Sequence, residues 1–193
     1  MKPSIRFASV FALSVVLLIA NARVAWAQET AAVPPKASDI VSTHSYVSLD
    51  PVPRGKEFQA AIVVKISTGY HMNSHKPSDS YLIPTTLTPQ LPAGFALAEA
   101  IYPAGRNEKF PFSPDKPLNV YSGSVTLRLR LTAQDGAALG ATTIPVTLRF
   151  QACNNSACLP PVKVPVSLQV QVVAAGAASH ATHPEIFSEK PSS

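Results

Sequence analysis

The chain has 193 residues, 46% of them hydrophobic and 14% charged, with 19 prolines and a formal net charge of +5. That length bounds one domain of ordinary size and excludes two comfortable ones. The aliphatic content excludes wholesale disorder, and the proline count disfavours long helices.

The amino terminus reads as an export signal. Lys2 and Arg6 give a positive start, Val10 to Ala20 is almost unbroken apolar sequence, and Ala25-Trp26-Ala27 is a small-x-small cleavage site before Gln28. These features predict a secretory signal peptide over residues 1–27. The apolar run is closed by Asn21 and Arg23, short of the roughly 20 apolar residues a membrane span needs. No cysteine follows the run, which argues against a lipoprotein anchor. Cleavage removes Lys2, Arg6, Arg23 and no acid, so the charge of +5 falls by three, to +2. With no Lys/Arg cluster left, the mature chain is not expected to bind nucleic acid. It is expected to be soluble rather than membrane-embedded, monomeric, and in a compartment that permits disulfides.

Residues 28–39, rich in alanine and proline, predict a flexible lead-in. Val41 to Leu49 predicts a first strand, and Asp50-Pro51-Val52-Pro53-Arg54-Gly55 a turn cluster. In the next strand Phe58, Ala60, Ile62, Val64 and Ile66 share one face. Tyr70 to Ser74, Leu82 to Leu87 and Phe95 to Tyr102 predict shorter strands. Pro103 to Pro117 reads as a long irregular segment carrying Phe110-Pro111-Phe112, aromatics that must cover or bind something. Three regular strands follow, with alternating Val125, Leu127, Leu129 and Leu131, then Ile144, Val146, Leu148 and Phe150, then Val162 through Val172. This is the pattern of antiparallel sheets packed on one side. The expectation is an all-β sandwich of roughly seven to nine strands over residues 40–173. Residues 174–193 predict a disordered tail.

Both cysteines of the chain lie in Phe150-Gln151-Ala152-Cys153-Asn154-Asn155-Ser156-Ala157-Cys158-Leu159-Pro160-Pro161. Cys153 ends one strand and Cys158 precedes the next, so a disulfide across the hairpin mouth is geometrically easy. Such a bridge is ordinarily a staple in an exported domain. A loop of about six residues, however, stabilises by only roughly 2 kcal/mol in the chain-entropy picture. The pair also sits at a strand-end loop, where function concentrates. The alternative is thiol–disulfide exchange, in which one thiolate attacks a partner and its neighbour resolves the mixed disulfide. The Phe110 and Phe112 loop is a candidate apolar collar for the reduced pair.

Several segments resemble the amino-terminal domain of the DsbD family of thiol:disulfide interchange proteins. They are Gly69-Tyr70-His71-Met72-Asn73-Ser74, Leu82-Ile83-Pro84-Thr85, Tyr102-Pro103, Val120-Tyr121-Ser122-Gly123 and, above all, the cysteine stretch with its trailing Pro-Pro. The resemblance runs from about Ile40 to Val172. It implies an immunoglobulin-like antiparallel β-sandwich in the periplasm, without a bound cofactor, that acts as a protein-disulfide reductase. Cys158 would meet partners and Cys153 would resolve. A cap near Glu108 to Phe112, with Phe110 foremost, would shield the pair. The implied partners are thioredoxin-like domains and periplasmic disulfide isomerases, with cytochrome c maturation among the pathways served. Because the chain ends after its tail, the membrane electron donor would be a separate protein. Some family members carry aromatics after the Gly-Tyr; here those positions are His71 and Asn73, so the shielding is expected to differ.

Two other readings remain at this point. One is a non-catalytic interaction module with a structural disulfide. The other is a Cu(I) site built from Cys153, Cys158, His71, His75 and Met72, whose sulfur and imidazole ligands suit that ion. Against the second, an extended His71–His75 segment spans about 13 Å.

Overall fold

The computed structural model of the chain describes residues 35–188. The signal peptide expected over residues 1–27, most of the lead-in and the last five residues lie outside the described part. A short helix, α1 (Ala37–Ile40), enters a chain of strands: β1 (Val41–Val47), β2 (Leu49–Asp50), β3 (Val52–Pro53), β4 (Lys56–Ile66), β5 (His71–Asn73), β6 (Thr86–Pro89) and β7 (Phe95–Ile101). There follow β8 (Arg106–Phe110), β9 (Ser113–Ser122), β10 (Ser124–Ala133), β11 (Gly140–Phe150), β12 (Ala152–Cys153), β13 (Val162–Val173), β14 (His180–Ala181) and a terminal turn of helix, α2 (Pro184–Phe187).

The strands form an immunoglobulin-like sandwich. One sheet has the order β1-β4-β10-β7 and the other β3-β13-β11-β6. Alternation decides which residues meet between them. Ala60, Ile62 and Val64 of β4 and Leu127, Leu129 and Leu131 of β10 point inward from the first sheet. Ile144, Val146, Leu148 and Phe150 of β11 and Val166, Leu168, Val170 and Val172 of β13 meet them from the second. Each fully buried aliphatic contributes about 1.5–3 kcal/mol, so this double row supplies the main driving force. β11 and β13 run antiparallel in unbroken register from Gly140↔Val172 to Phe150↔Val162. The cysteine stretch is the connection between them.

A third ribbon, β12-β5-β9-β8, positions the site. Its registers place Cys153 opposite His71, and His71 opposite Ser122. Opposed residues share a face, so this ribbon has two. Ala152, Met72 and Tyr121 enter the main core. Cys153, His71, Asn73, Ser122 and Val120 lie on the other side.

Three segments differ most from the sequence reading. Pro103–Pro117, read as irregular, is largely the β8–β9 hairpin with Pro111 and Phe112 at its turn. Pro114 and Pro117 and the charged side chains hid β9, but proline is tolerated where a strand lacks a second partner. The hairpin is pinned to the loop after β5. The Ser78 hydroxyl donates to the Pro117 carbonyl (3.0 Å) and accepts from Asn119 N–H (2.8 Å), and Lys116 pairs with Asp79. Gly105 permits the close approach, because a Cβ there would lie 2.2 Å from Asn119 Oδ1 and 2.7 Å from Ser74 Cβ.

In the second case, Leu82 to Leu87 is strand only from Thr86, since Pro84 cannot donate to a ladder. In the third, the expected disordered tail is laid back on the sandwich through residue 188. β14 pairs with β2, Thr182 N–H donates to Ser48 O (3.0 Å), and Arg128 donates to Ile186 O (2.6 Å). Backbone and single side-chain bonds fix this segment, and its small, polar sequence gives no periodic signal of it.

Truncation after Val173 removes several such hydrogen bonds, each worth about 1 kcal/mol net. The expected outcome is a loss of about 2–4 kcal/mol in urea unfolding, with the β-sheet circular dichroism signal retained.

Candidate functional site

Cys153 and Cys158 form a disulfide, with Cα atoms 3.9 Å apart. The backbone brings them together before the sulfurs do. Asn154 N–H donates to Ala157 O (3.0 Å) and Leu159 N–H donates to Ala152 O (2.8 Å). These two bonds flank the cysteines, which therefore occupy a non-hydrogen-bonded antiparallel position, the closer of the two kinds. Asn154 closes the turn, because its Oδ1 accepts from Ser156 N–H (2.8 Å) and Ala157 N–H (2.9 Å). Pro160 and Pro161 then prevent the pairing from extending.

The two cysteines differ in access. Cys153 is 0% exposed, whereas Cys158 is exposed. The difference follows from their positions: Cys153 is the last residue of β12, against β5, and Cys158 stands on the outer arm of the turn.

The expected shielding residues are brought together around His71. Its ring stacks on Phe110 with centroids 3.9 Å apart and an interplanar angle of 17°. Phe112 continues the stack, 5.5 Å from Phe110 and 6.4 Å from His71. Phe110 is buried among Leu82, Leu118 and Val120, while Phe112 is 38% exposed at the hairpin tip. Glu108 accepts a hydrogen bond from Ser122 Oγ (3.1 Å). The hairpin thus reaches the cysteine strand through His71.

His71 is 2% exposed, and burial lowers its pKa below the ordinary imidazole value, while the nearby Glu108 charge acts the other way. Asn73, wholly buried, donates from Nδ2 to Ile83 O (3.2 Å) and Gln151 Oε1 (3.1 Å). Gln151 is the residue that sequence reasoning left without a role. Its Oε1 also accepts from Ile83 N–H (3.3 Å), and its Nε2 donates to Leu159 O (3.2 Å). One side chain therefore ties the strand before Cys153, the strand carrying His71 and the residue after Cys158. Its polarity at the end of the apolar β11 run was the available signal.

The five residues considered for copper are not assembled into one site. Met72 faces the main core, on the opposite side of β5 from His71. His75 donates from Nδ1 to Thr85 O (3.0 Å) and stacks on Tyr102 at 3.7 Å.

Two outcomes are expected from this geometry. Phe110→Ala removes the ring against His71 and should speed reduction of the disulfide by dithiothreitol several-fold, followed by thiol release; an unchanged rate would show that the ring does not limit access. The second concerns pH. Between the ordinary imidazole pKa and the lower folded value, the unfolded chain binds more protons than the folded one. Stability should therefore fall as pH is lowered through that window and level off below the folded value. Urea titrations between pH 5 and 8 should show this component in the parent and lose it in His71→Phe.

The family described as thiol:disulfide interchange protein DsbD, N-terminal, matches residues 37–169. A similar solved structure is the crystal structure of the Neisseria meningitidis DsbD N-terminal domain in its reduced form, at 14% identity. The similarity covers 78% of this chain and 94% of that one, with a TM-score of 0.43. No curated protein matches the chain. With the family match extending over most of its length, the chain belongs to the family of DsbD N-terminal domains of thiol:disulfide interchange proteins.

Proposed function

We propose that the protein is an exported, periplasmic electron carrier. It takes electrons from a membrane-linked thioredoxin-like donor and passes them to periplasmic thiol-oxidoreductases, including disulfide isomerases and cytochrome c maturation proteins. Cys158 is the cysteine that meets partners and Cys153 is the resolving one. The observation that carries this reading is the unequal access of two bonded cysteines, one fully buried and one exposed.

The chemistry follows from that inequality. In the reduced protein the Cys158 thiolate attacks one sulfur of a partner disulfide and expels the other as a thiolate. The mixed disulfide leaves Cys153 as the internal nucleophile, already beside the Cys158 sulfur. Its thiolate attacks that sulfur, closes the Cys153–Cys158 bond and expels the partner's second thiolate. Two electrons pass to the partner, and the protons lost by the two cysteines balance those gained by the partner's thiols. Reloading by the donor is the same sequence in reverse.

Burial of Cys153 prevents it from competing for partners, and the exposed turn at Asn155 and Ser156 leaves room for docking around Cys158. Phe110, Phe112, Glu108, His71 and Asn73 serve as the cap and its support, restricting small oxidants until a partner displaces the hairpin tip. No helix among the described residues is long and apolar enough to cross a membrane. A carrier of this kind meets its membrane donor by diffusion.

The test is trapping in periplasmic extract. Cys153→Ala should accumulate mixed disulfides with thioredoxin-like proteins through Cys158, and Cys158→Ala should accumulate few or none. Absence of adducts with Cys153→Ala, or a reversed pattern, would contradict the assignment.

A further inference from the structure

One group is left unexplained by the exchange reading. His71 Nε2 is buried and has no hydrogen-bond partner. Leaving such an atom unpaired is unfavourable, and the ring cannot turn freely to relieve it, being stacked on Phe110. In the Nδ1-protonated tautomer Nε2 is the accepting nitrogen, and the oxidised pair offers it no donor, because neither sulfur of a disulfide carries a proton. Reduction supplies one. Cys153, fully buried in the bonded pair and directly opposite His71, then bears an S–H. Side chains so opposed have Cβ atoms about 4.5–5.5 Å apart. A buried thiol must also lose its proton before it can resolve a mixed disulfide, and water does not reach it.

We propose that His71 is the proton acceptor for the Cys153 thiol during resolution. This rests on the exchange reading and adds to it the route of the second proton. The imidazole Nε2 takes the proton from Cys153 Sγ. The resulting thiolate attacks the Cys158 sulfur, forming the Cys153–Cys158 bond and breaking the Cys158–partner bond. The departing partner thiolate takes a proton from the imidazolium or from water, which returns His71 to its neutral form. Electrons move only from the cysteine pair to the partner.

The surroundings suit a base that is charged only briefly. From β8, Glu108 faces the ring and favours the imidazolium, while Arg106 and Lys109 are exposed. From β9 the facing residue is the uncharged Ser122, and from β12 the facing group is Cys153, with Cys158 beyond it. The hairpin tip contributes aromatic rings alone. Burial outweighs Glu108, so the resting imidazole is neutral and free to accept at neutral pH.

The test follows the reduced protein with oxidised glutathione by rapid quench and mass spectrometry, which separates glutathionylation of Cys158 from resolution by Cys153. In the parent, the resolution rate should rise with pH to a plateau whose midpoint lies below the ordinary imidazole pKa. His71→Phe keeps a stacking ring without a base. It should slow resolution near neutral pH by about 10²-fold and restore a tenfold rise per pH unit, while the separately read glutathionylation rate reports any change in cap access. Superimposable resolution profiles for parent and variant would overturn the proposal. So would a parent profile that climbs tenfold per pH unit without a plateau, a result that needs no folded variant. Failure of the Cys153→Ala variant to form any mixed disulfide with a thioredoxin-like protein would overturn the exchange reading itself, and the role of His71 with it.

Discussion

The site depends on the two-sidedness of a three-residue strand. β5 carries His71, Met72 and Asn73, all buried. Met72 anchors the strand in the main core, and that fixes His71 and Asn73 on the other face. A shift of one residue would exchange these sets, placing an imidazole in the aliphatic core and a methionine under the cap. The register Cys153↔His71 and His71↔Ser122 then sets what each cysteine can touch. The cap hairpin meets the cysteine strand through the same imidazole. Fold and the proposed shielding and reactivity therefore share one short ladder.

The polar cluster on that face is costly to build and specific once built. Asn73 and His71 are buried in a ribbon with little aliphatic volume of its own, and Thr85 is buried beside it. Most of their groups are satisfied. Thr85 Oγ donates to Asn73 O at 2.6 Å, and Gln151 bridges Asn73, Ile83 and Leu159. His71 Nε2 and Asn73 Oδ1 are not. Among the described residues, two other unsatisfied atoms lie on Arg128 and Arg130 of β10; the pair on His71 and Asn73 fits the proposed site, whose hydrogen bonding changes with its redox state. The long registers of β4 with β10 and of β11 with β13 supply the stability that tolerates them.

Much of this was legible in the chain. The period-two patterns of β4, β10, β11 and β13 announce themselves because each buries one face and exposes the other. The cysteine spacing, the Asn-Asn-Ser turn and the Pro-Pro stop locate the site. The elements that escaped detection lack that contrast. β9 carries Pro114, Asp115, Lys116 and Pro117, yet it forms the arm that holds the aromatic tip in place. The carboxy-terminal segment is fixed by a short backbone ladder and by single side-chain bonds from Arg128, Ser179 and Thr182, none of which leaves a periodic trace. Neither the stacking of Phe110 on His71 nor the bridging by Gln151 could be read from spacing, since both join residues far apart in the chain. His71 was legible as a departure from the aromatic residues some relatives carry there, though its direct opposition to Cys153 was not.

The central claim is that the Cys153–Cys158 bond is a working disulfide rather than a staple. Its reduction potential, measured by equilibration with a dithiol buffer of known potential, tests this most directly. A value above about −300 mV, within reach of thioredoxin-like partners, is the result expected for a carrier. A value well below that would make the bond a structural one and contradict the account.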